Sequence, residues 1–236
     1  MADAVEGDRA FLTGAHAQHL SRVLRAKVGQ EFDIATADSV RRGKILHIDE
    51  ERVEFTLGER VESEESLSLT LWLAVFKFDR MEWAIEKCTE LGATDIVPVI
   101  ARRTEAHLAG AAEKRVERWR RLAMQAAEQS RRARPPEIAA PVKLKNALTA
   151  PAADPDIDAL RLVLAETEEE KTLAEIVGSS ADAEVTLAIG PEGGWADDEL
   201  KIFRDSGWVS ASLGKTILRA ETAAIAATAI LMALRR

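Results

Sequence analysis

The spacing of apolar and polar residues changes character near residue 66 of this 236-residue chain. Before that point the apolar positions come in short alternating runs. Glu31–Ala37 and Gly43–Ile48 alternate, Val53–Leu57 follows, and turn-prone residues stand at Gly29 and Asp38-Ser39. This is the pattern of half-buried strands joined by turns. His16–Arg25 is a short helical patch among them. Glu62-Ser-Glu-Glu-Ser66 is acidic and without period, as a linker would be. A small β-rich domain over 1–66 and a second domain over 67–236 are therefore expected.

Beyond the linker, strands and helices alternate. Leu69–Phe76 is almost continuously apolar, as a strand buried on both faces is. Asp79–Leu91 has Met81, Ala84, Ile85, Cys88 and Leu91 at helical spacing, an Asp79/Glu82 capping pair at its start and Gly92 at its end. Asp95–Ile100 is a strand and Glu113–Arg132 a long helix with Val116, Trp119, Ala123, Ala126 and Ala127 inward. Ala150–Asp158 is a loop. Leu160–Ala165, Val185–Gly190 and Trp208–Leu213 are further strands, separated by helices near Thr172–Val177 and Asp197–Ser206. A last helix starts at about Arg219. The alternation predicts an α/β domain with a mostly parallel sheet.

Composition narrows the class. Apolar residues make up 47% and charged residues 31%, an ordinary globular balance. One cysteine excludes a disulfide framework. The longest apolar run, Ala223–Leu234, is too short to span a bilayer. The start is acidic where a secretory signal is basic, so a cytoplasmic protein is expected. Four histidines and one cysteine leave too few ligands for a zinc cluster; His16 and His19 have no third partner nearby, and no metal is expected. Net charge is −8, but it is polarised. Residues 102–134 carry ten basic and four acidic side chains; residues 151–199 carry two and fourteen. Such a chain can hold a polyanion on one face, though a solvated helix face reads the same way.

Candidate chemistry gathers at three strand ends. Their loops are Glu166-Thr-Glu-Glu-Glu170, Gly190-Pro-Glu-Gly-Gly194 and Gly214-Lys-Thr-Ile-Leu-Arg-Ala-Glu-Thr222. In open α/β sheets ligands bind beyond the carboxyl ends of strands. Neither glycine-containing loop has the spacing of a phosphate loop or a dinucleotide fingerprint, and Glu192 would repel phosphate. A cationic or polar ligand suits such a turn better. Cys88 faces inward and reads as core, whereas Trp83 lies off the apolar stripe and marks a second contact, such as one with another subunit.

Five segments together resemble the RsmE family of 16S ribosomal RNA (uracil-N3) methyltransferases, within the SPOUT, or trefoil-knot, superfamily. They are His19-Leu-Ser-Arg-Val-Leu-Arg25, Glu86-Lys-Cys-Thr-Glu-Leu-Gly92, Ala127-Glu-Gln-Ser-Arg-Arg132 with Pro136-Glu137, Ile189-Gly-Pro-Glu-Gly-Gly194 and Leu213-Gly-Lys-Thr-Ile-Leu-Arg-Ala-Glu-Thr-Ala223. The last two are the specific ones. The resemblance implies a PUA-like β-barrel that helps bind RNA, then a homodimeric domain with a C-terminal knot. It implies S-adenosylmethionine as cofactor, held by Leu164, Ala165, Glu166, Ile189, Gly190, Pro191, Gly193, Gly194, Leu213, Gly214, Ile217 and Leu218. The target would be N3 of a uridine in small-subunit ribosomal RNA. His19, Arg22, Arg25, Arg131, Arg132 and Arg134 are the expected RNA contacts. Arg219 is the expected charge stabiliser, with Glu221 and Glu192 as proton acceptors or as partners orienting Arg219. The alternative for Arg219 and Glu221 is an ion pair at a helix terminus. Two other functions remain open: a knotted methyltransferase acting on transfer RNA or ribose, and a non-catalytic ribosome-assembly factor. Three departures stand out. Thr216 replaces an arginine, the opening is acidic, and Ala196 replaces a serine, so that Asp197 would have to cap the next helix.

Overall fold

A computed structural model of the chain describes residues 2–36, 39–61, 68–149, 159–178 and 184–234. The linker expected at 62–66, the turn residue Asp38 and the loop at 150–158 lie outside them. The chain divides into two compact units, Met1–Ser66 and Leu67–Arg236.

The first unit is antiparallel. β1 (Ala4–Glu6) and β2 (Arg9–Thr13) form a hairpin from the acidic opening, followed by α1 (Gly14–Gln18). β3 (Glu31–Ala35), β4 (Val40–Ile48) and β5 (Arg52–Arg60) complete a sheet of order β1-β2-β5-β4-β3. The Ala2 N–H donates to the Ala35 carbonyl at 2.8 Å, joining the two edges at one end. Phe55, Ile45, Val53 and Ala10 fill the interior. The helical patch expected at His16–Arg25 is present as α1 and the turn that continues it. After Gln18 the backbone widens into a π-turn at His19–Val23. Val23, Leu24 and Val28 are exposed, so no inward apolar stripe extends the helix.

The second unit is a parallel sheet with helices on both faces. Its elements are β6 (Leu69–Ala74), α2 (Phe78–Leu91), β7 (Asp95–Ile100), α3 (Ala106–Ala111), α4 (Val116–Gln129), β8 (Glu137–Ile138), β9 (Val142–Lys143), α5 (Leu144–Thr149), β10 (Ala159–Leu164), α6 (Leu173–Val177), β11 (Glu184–Ile189), α7 (Asp197–Asp205), β12 (Val209–Ala211) and α8 (Ala220–Leu234). Strand order is β12-β10-β11-β6-β7-β8, with β9 also on β7. Alternate residues of β6 part to the two faces, which is why its run is apolar throughout. Leu69, Leu71 and Leu73 pack with Met81, Ile85, Trp119 and Leu231 from α2, α4 and α8. Ala74 joins Val163, Ala188, Phe203 and Trp208 in a second cluster.

Small residues let α8 lie close against α2. Ala224, Ala227 and Thr228 are buried, and the Thr228 hydroxyl donates to the Ala224 carbonyl at 2.8 Å and stands 3.4 Å from Cys88 Sγ. Burial pushes the Cys88 thiol up to about 12, the Thr228 contact opposing it weakly. This is a core thiol, as its place on the apolar stripe implies.

Three local expectations are corrected. Asp79 and Glu82 do not cap α2; its N-cap is Lys77, without a side-chain bond. Glu82 instead accepts from Arg118 at 2.7 and 2.8 Å, an exchange of a weak cap for a two-pronged ion pair. The long helix expected from Glu113 begins as a 3₁₀ turn, Glu113–Arg115, and α4 ends at Gln129 because Arg131 takes φ +59°. Helix α7 is not capped by Asp197. The Glu199 carboxylate, 6% exposed, accepts from the Ala196 N–H at 3.0 Å and the Arg102 N–H at 2.8 Å. It thereby caps the helix from inside and ties it to the loop after β7.

Candidate active site

The parallel sheet brings the carboxyl ends of β10, β11 and β12 side by side, with β6 next in order. The loops that follow are held together by backbone bonds. Ala165 N–H donates to the Ala211 carbonyl at 3.1 Å, Ser212 N–H to Lys171 at 2.9 Å, and Leu173 N–H to Ser212 at 2.9 Å. Between them lies a cavity of about 210 Å³. One water occupies roughly 10–15 Å³ on the same measure, so the space is of organic-ligand size.

The turn after β11 forms one wall. Gly194 has φ +69° and donates its N–H to the Pro191 carbonyl at 2.8 Å, a conformation that favours glycine. A Cβ at Gly190 would stand 3.2 Å from the indole Nε1 of Trp195, a ring packed against Phe203 at 5.0 Å between centroids. Arg103 fixes the outside of this turn by donating from Nη1 to the carbonyls of Gly193 at 2.7 Å and Trp195 at 3.1 Å. The remaining walls are Leu164, Leu213, Ile217 and Leu218, with Glu166, Glu192 and Asp197 as carboxylates. Aliphatic walls, open backbone and three carboxylates, against the two cations Arg103 and Lys215, suit a ligand with a flat heterocycle and a cationic end better than a phosphate.

Of the residues expected to hold a cofactor, the structure brings eleven around this cavity and leaves Gly193 just behind it, its carbonyl turned to Arg103. Glu192 lines it; Glu221 and Arg219 do not. Arg219 is exposed between Leu218 and Ala220, which do, and its side chain has no hydrogen bond or ion pair among the described residues. The carboxylates expected to orient Arg219 turn elsewhere. Glu192 Oε1 accepts from Arg80 Nη1 at 2.8 Å, and Glu221 Oε1 lies 3.8 Å from Arg80 Nε. Arg80 wins because the guanidinium offers two edges from the first turn of α2, between the two carboxylates.

Among the expected RNA contacts, His19, Arg25, Arg131 and Arg134 are exposed, and Arg22 pairs with Glu50 at the surface. Arg132 is corrected. Its guanidinium donates to the carbonyls of Thr89 at 2.8 Å, Ala93 at 2.7 Å and Gly92 at 3.2 Å, closing the end of α2, so it is not free for phosphate. Sequence reasoning missed Arg80 and Arg103. Arg80 follows β6, which neighbours β11, and Arg103 follows β7, the next strand out, so a sheet-order argument would have flagged them.

The family model of the RNA methyltransferase domain matches residues 63–232. The ribosomal RNA small subunit methyltransferase E of Synechocystis sp. is 35% identical over 224 residues, covering 94% of this chain and 72% of that protein. This chain belongs to the ribosomal RNA small subunit methyltransferase E family. The Rickettsia conorii member is 33% identical, covering 91% of this chain and 85% of its own length. The crystal structure of the Neisseria gonorrhoeae member, bound to S-adenosyl methionine, superposes with a TM-score of 0.78 at 26% identity, covering 100% of this chain and 96% of that one. The family's α/β fold with a parallel sheet is thus the fold of this chain.

Proposed function

We propose that this protein transfers the methyl group of S-adenosylmethionine to N3 of a uridine in 16S ribosomal RNA of the small subunit. The observation that carries the reading is the cavity formed by three loops, two of which bear the family's specific segments. S-adenosylmethionine supplies, when bound, a methyl carbon already activated by its sulfonium. The residues for it are Leu164–Glu166, Ile189–Pro191, Gly194, Leu213, Gly214, Ile217 and Leu218, with apolar walls for the adenine and carboxylates for the cationic end.

What remains for the chain is placement and charge. Uracil N3 must lose its proton, form a bond to the methyl carbon as the carbon–sulfur bond breaks, and leave the electron pair on sulfur. Of the two carboxylates expected as proton acceptors, Glu192 is on the cavity wall, whereas Glu221 is 4% exposed, does not line it and stands 3.8 Å from Arg80. Arg219, uncommitted and flanked by cavity residues, is suited to negative charge growing on the uracil carbonyls. N3 takes part in base pairing, so the target has to be unpaired or flipped. His19, Arg22 and Arg25 in the first unit and Arg131 and Arg134 in the second supply RNA contacts, the first unit serving as the PUA-like module. Arg22 and Glu50 are both exposed, so their pair is weak enough to exchange for a phosphate.

Two further features belong to the same reading. A homodimer is supported by Trp83, 49% exposed on α2. A knotted path is supported by the passage of Ser212 alongside Lys171–Leu173 just before the last helix. No helix among the described residues is long and apolar enough to cross a membrane, and a cytoplasmic site fits a ribosomal substrate. The test is labelled methyl transfer to small subunits lacking the modification, with the product nucleoside identified by mass spectrometry. N3-methyluridine is expected. A methyl on ribose or on transfer RNA, or no transfer at all, overturns the reading.

A further inference from the structure

Among the described residues, Arg80 is the one cation that faces two carboxylates from different segments of the site. Its Nη1 donates to Glu192 Oε1 at 2.8 Å, and its Nε stands 3.8 Å from Glu221 Oε1. Three segments meet here: the first turn of α2, the turn after β11 and the first turn of α8. Glu221 is 4% exposed, and its Oε2 is buried without a hydrogen-bond partner among the described residues. A carboxylate so placed is costly unless a charge stands beside it, and Arg80 is that charge. Glu192 is more open, its side chain 28% exposed, and its second oxygen lies 3.6 Å from Lys77 Nζ. The order is therefore buried Glu221, then Arg80, then Glu192, then the cavity.

We propose that Arg80 is a positioning residue for the transfer reaction: seated by the buried Glu221, it fixes Glu192 on the cavity wall. The inference rests on the methyltransferase reading given above. Its physical basis is the rigidity of the contact. A planar guanidinium that donates to Glu192 from one edge while the other lies within ion-pair distance of Glu221 sets the direction as well as the distance of its partner, which a flexible ammonium does not. Glu192 sits in a turn whose backbone is held by Arg103 on one side, while its carboxylate is held by Arg80 on the other. A group meant to meet the reacting atoms gains from such support because misplacement by about 1 Å costs up to about 100-fold in rate.

The test is a cycle of four proteins: the parent, Arg80→Gln, Glu192→Gln and the double variant. Each is assayed for single-turnover methyl transfer to small subunits at saturating cofactor, with cofactor affinity measured by calorimetry. Arg80→Gln should lower the transfer rate about 10- to 100-fold and change cofactor affinity far less. The double variant should be no slower than the slower single one, because residues acting as a unit are not additive. Arg80→Lys, which keeps the charge at the buried carboxylate and guards against a folding defect, should recover part of the rate. A purely structural role would lower thermal stability without this pattern. If Arg80→Gln transfers as fast as an active parent, or if the two losses multiply, the positioning role is overturned while the methyltransferase reading stands. If the parent itself transfers no methyl, both fall.

Discussion

Helix α2 has an arginine at each end, and the two are used in opposite ways. At its C-terminus Gly92 takes φ +122°, and Arg132 donates to three carbonyls at 2.7–3.2 Å. Burial pulls the Arg132 pKa below the usual arginine value, and the helix end is closed. At its N-terminus Arg80 meets two carboxylates, one of which keeps a buried oxygen with no hydrogen-bond partner among the described residues. One end is saturated, as groups that hold a fold are. The other shares Arg80 between a carboxylate on the cavity wall and one buried outside it. An arginine's duty is thus set by what already occupies its guanidinium.

The sharpest way to break this comparison is Arg219, whose side chain has no partner among the described residues. Arg219→Ala should leave cofactor affinity nearly intact and slow single-turnover transfer by about 100- to 1000-fold, the cost of losing one transition-state donor. Arg219→Lys should restore only part, since a point charge does not reproduce a planar donor. A folded Arg219→Ala protein that methylates at the parental rate would place Arg219 with the structural arginines.

The saturated end predicts the reverse profile. Arg132→Ala leaves three carbonyls without their donor, and with each hydrogen bond worth about 1 kcal/mol the loss should be about 2–3 kcal/mol. Chemical denaturation would read it as a lower midpoint. The salt dependence of RNA binding should not move, because this guanidinium is not available to phosphate. A flatter salt slope in the folded variant would return Arg132 to the RNA-facing set.

Which parts were legible in the sequence follows the same division. The parallel sheet was readable because strands buried on both faces have no polar alternation, as in Leu69–Ala74. The loops around the cavity were readable because their glycines and motif residues are contiguous in sequence. The start of α2 was not, because Glu82 is drawn to Arg118, 36 residues away, nor was the tie from Glu199 to the Arg102 N–H, 97 residues away. No local pattern can show a contact of that reach. Arg132 was misread for the same cause: as one of three arginines between 131 and 134 it looks like surface charge. Its partners lie 39 to 43 residues earlier. The first hairpin went unnoticed since Ala4–Glu6 is three residues long, all exposed.

The smallest expected effect comes from the residue beside Arg132. Arg131 ends α4 with φ +59°, while the Arg131 N–H donates to Glu128 at 3.2 Å and the Arg132 N–H to Ala127 at 2.9 Å. This is the helix-ending motif whose left-handed position is usually glycine. An arginine there carries a steric cost of about 1–2 kcal/mol. Glycine would remove it but would also gain freedom in the unfolded chain, which offsets about 0.4–1 kcal/mol. Arg131→Gly should therefore stabilise the fold by about 0.5–1 kcal/mol, read as a raised denaturation midpoint. The same change should weaken RNA binding and reduce its salt slope by about one unit, the signature of one lost phosphate contact. Opposite signs in the two measurements would mark Arg131 as a side chain kept at the expense of its own backbone. A gain in stability with unchanged RNA affinity and salt slope would make it a solvated surface arginine instead. The RNA-facing set of this unit would then shrink to Arg134.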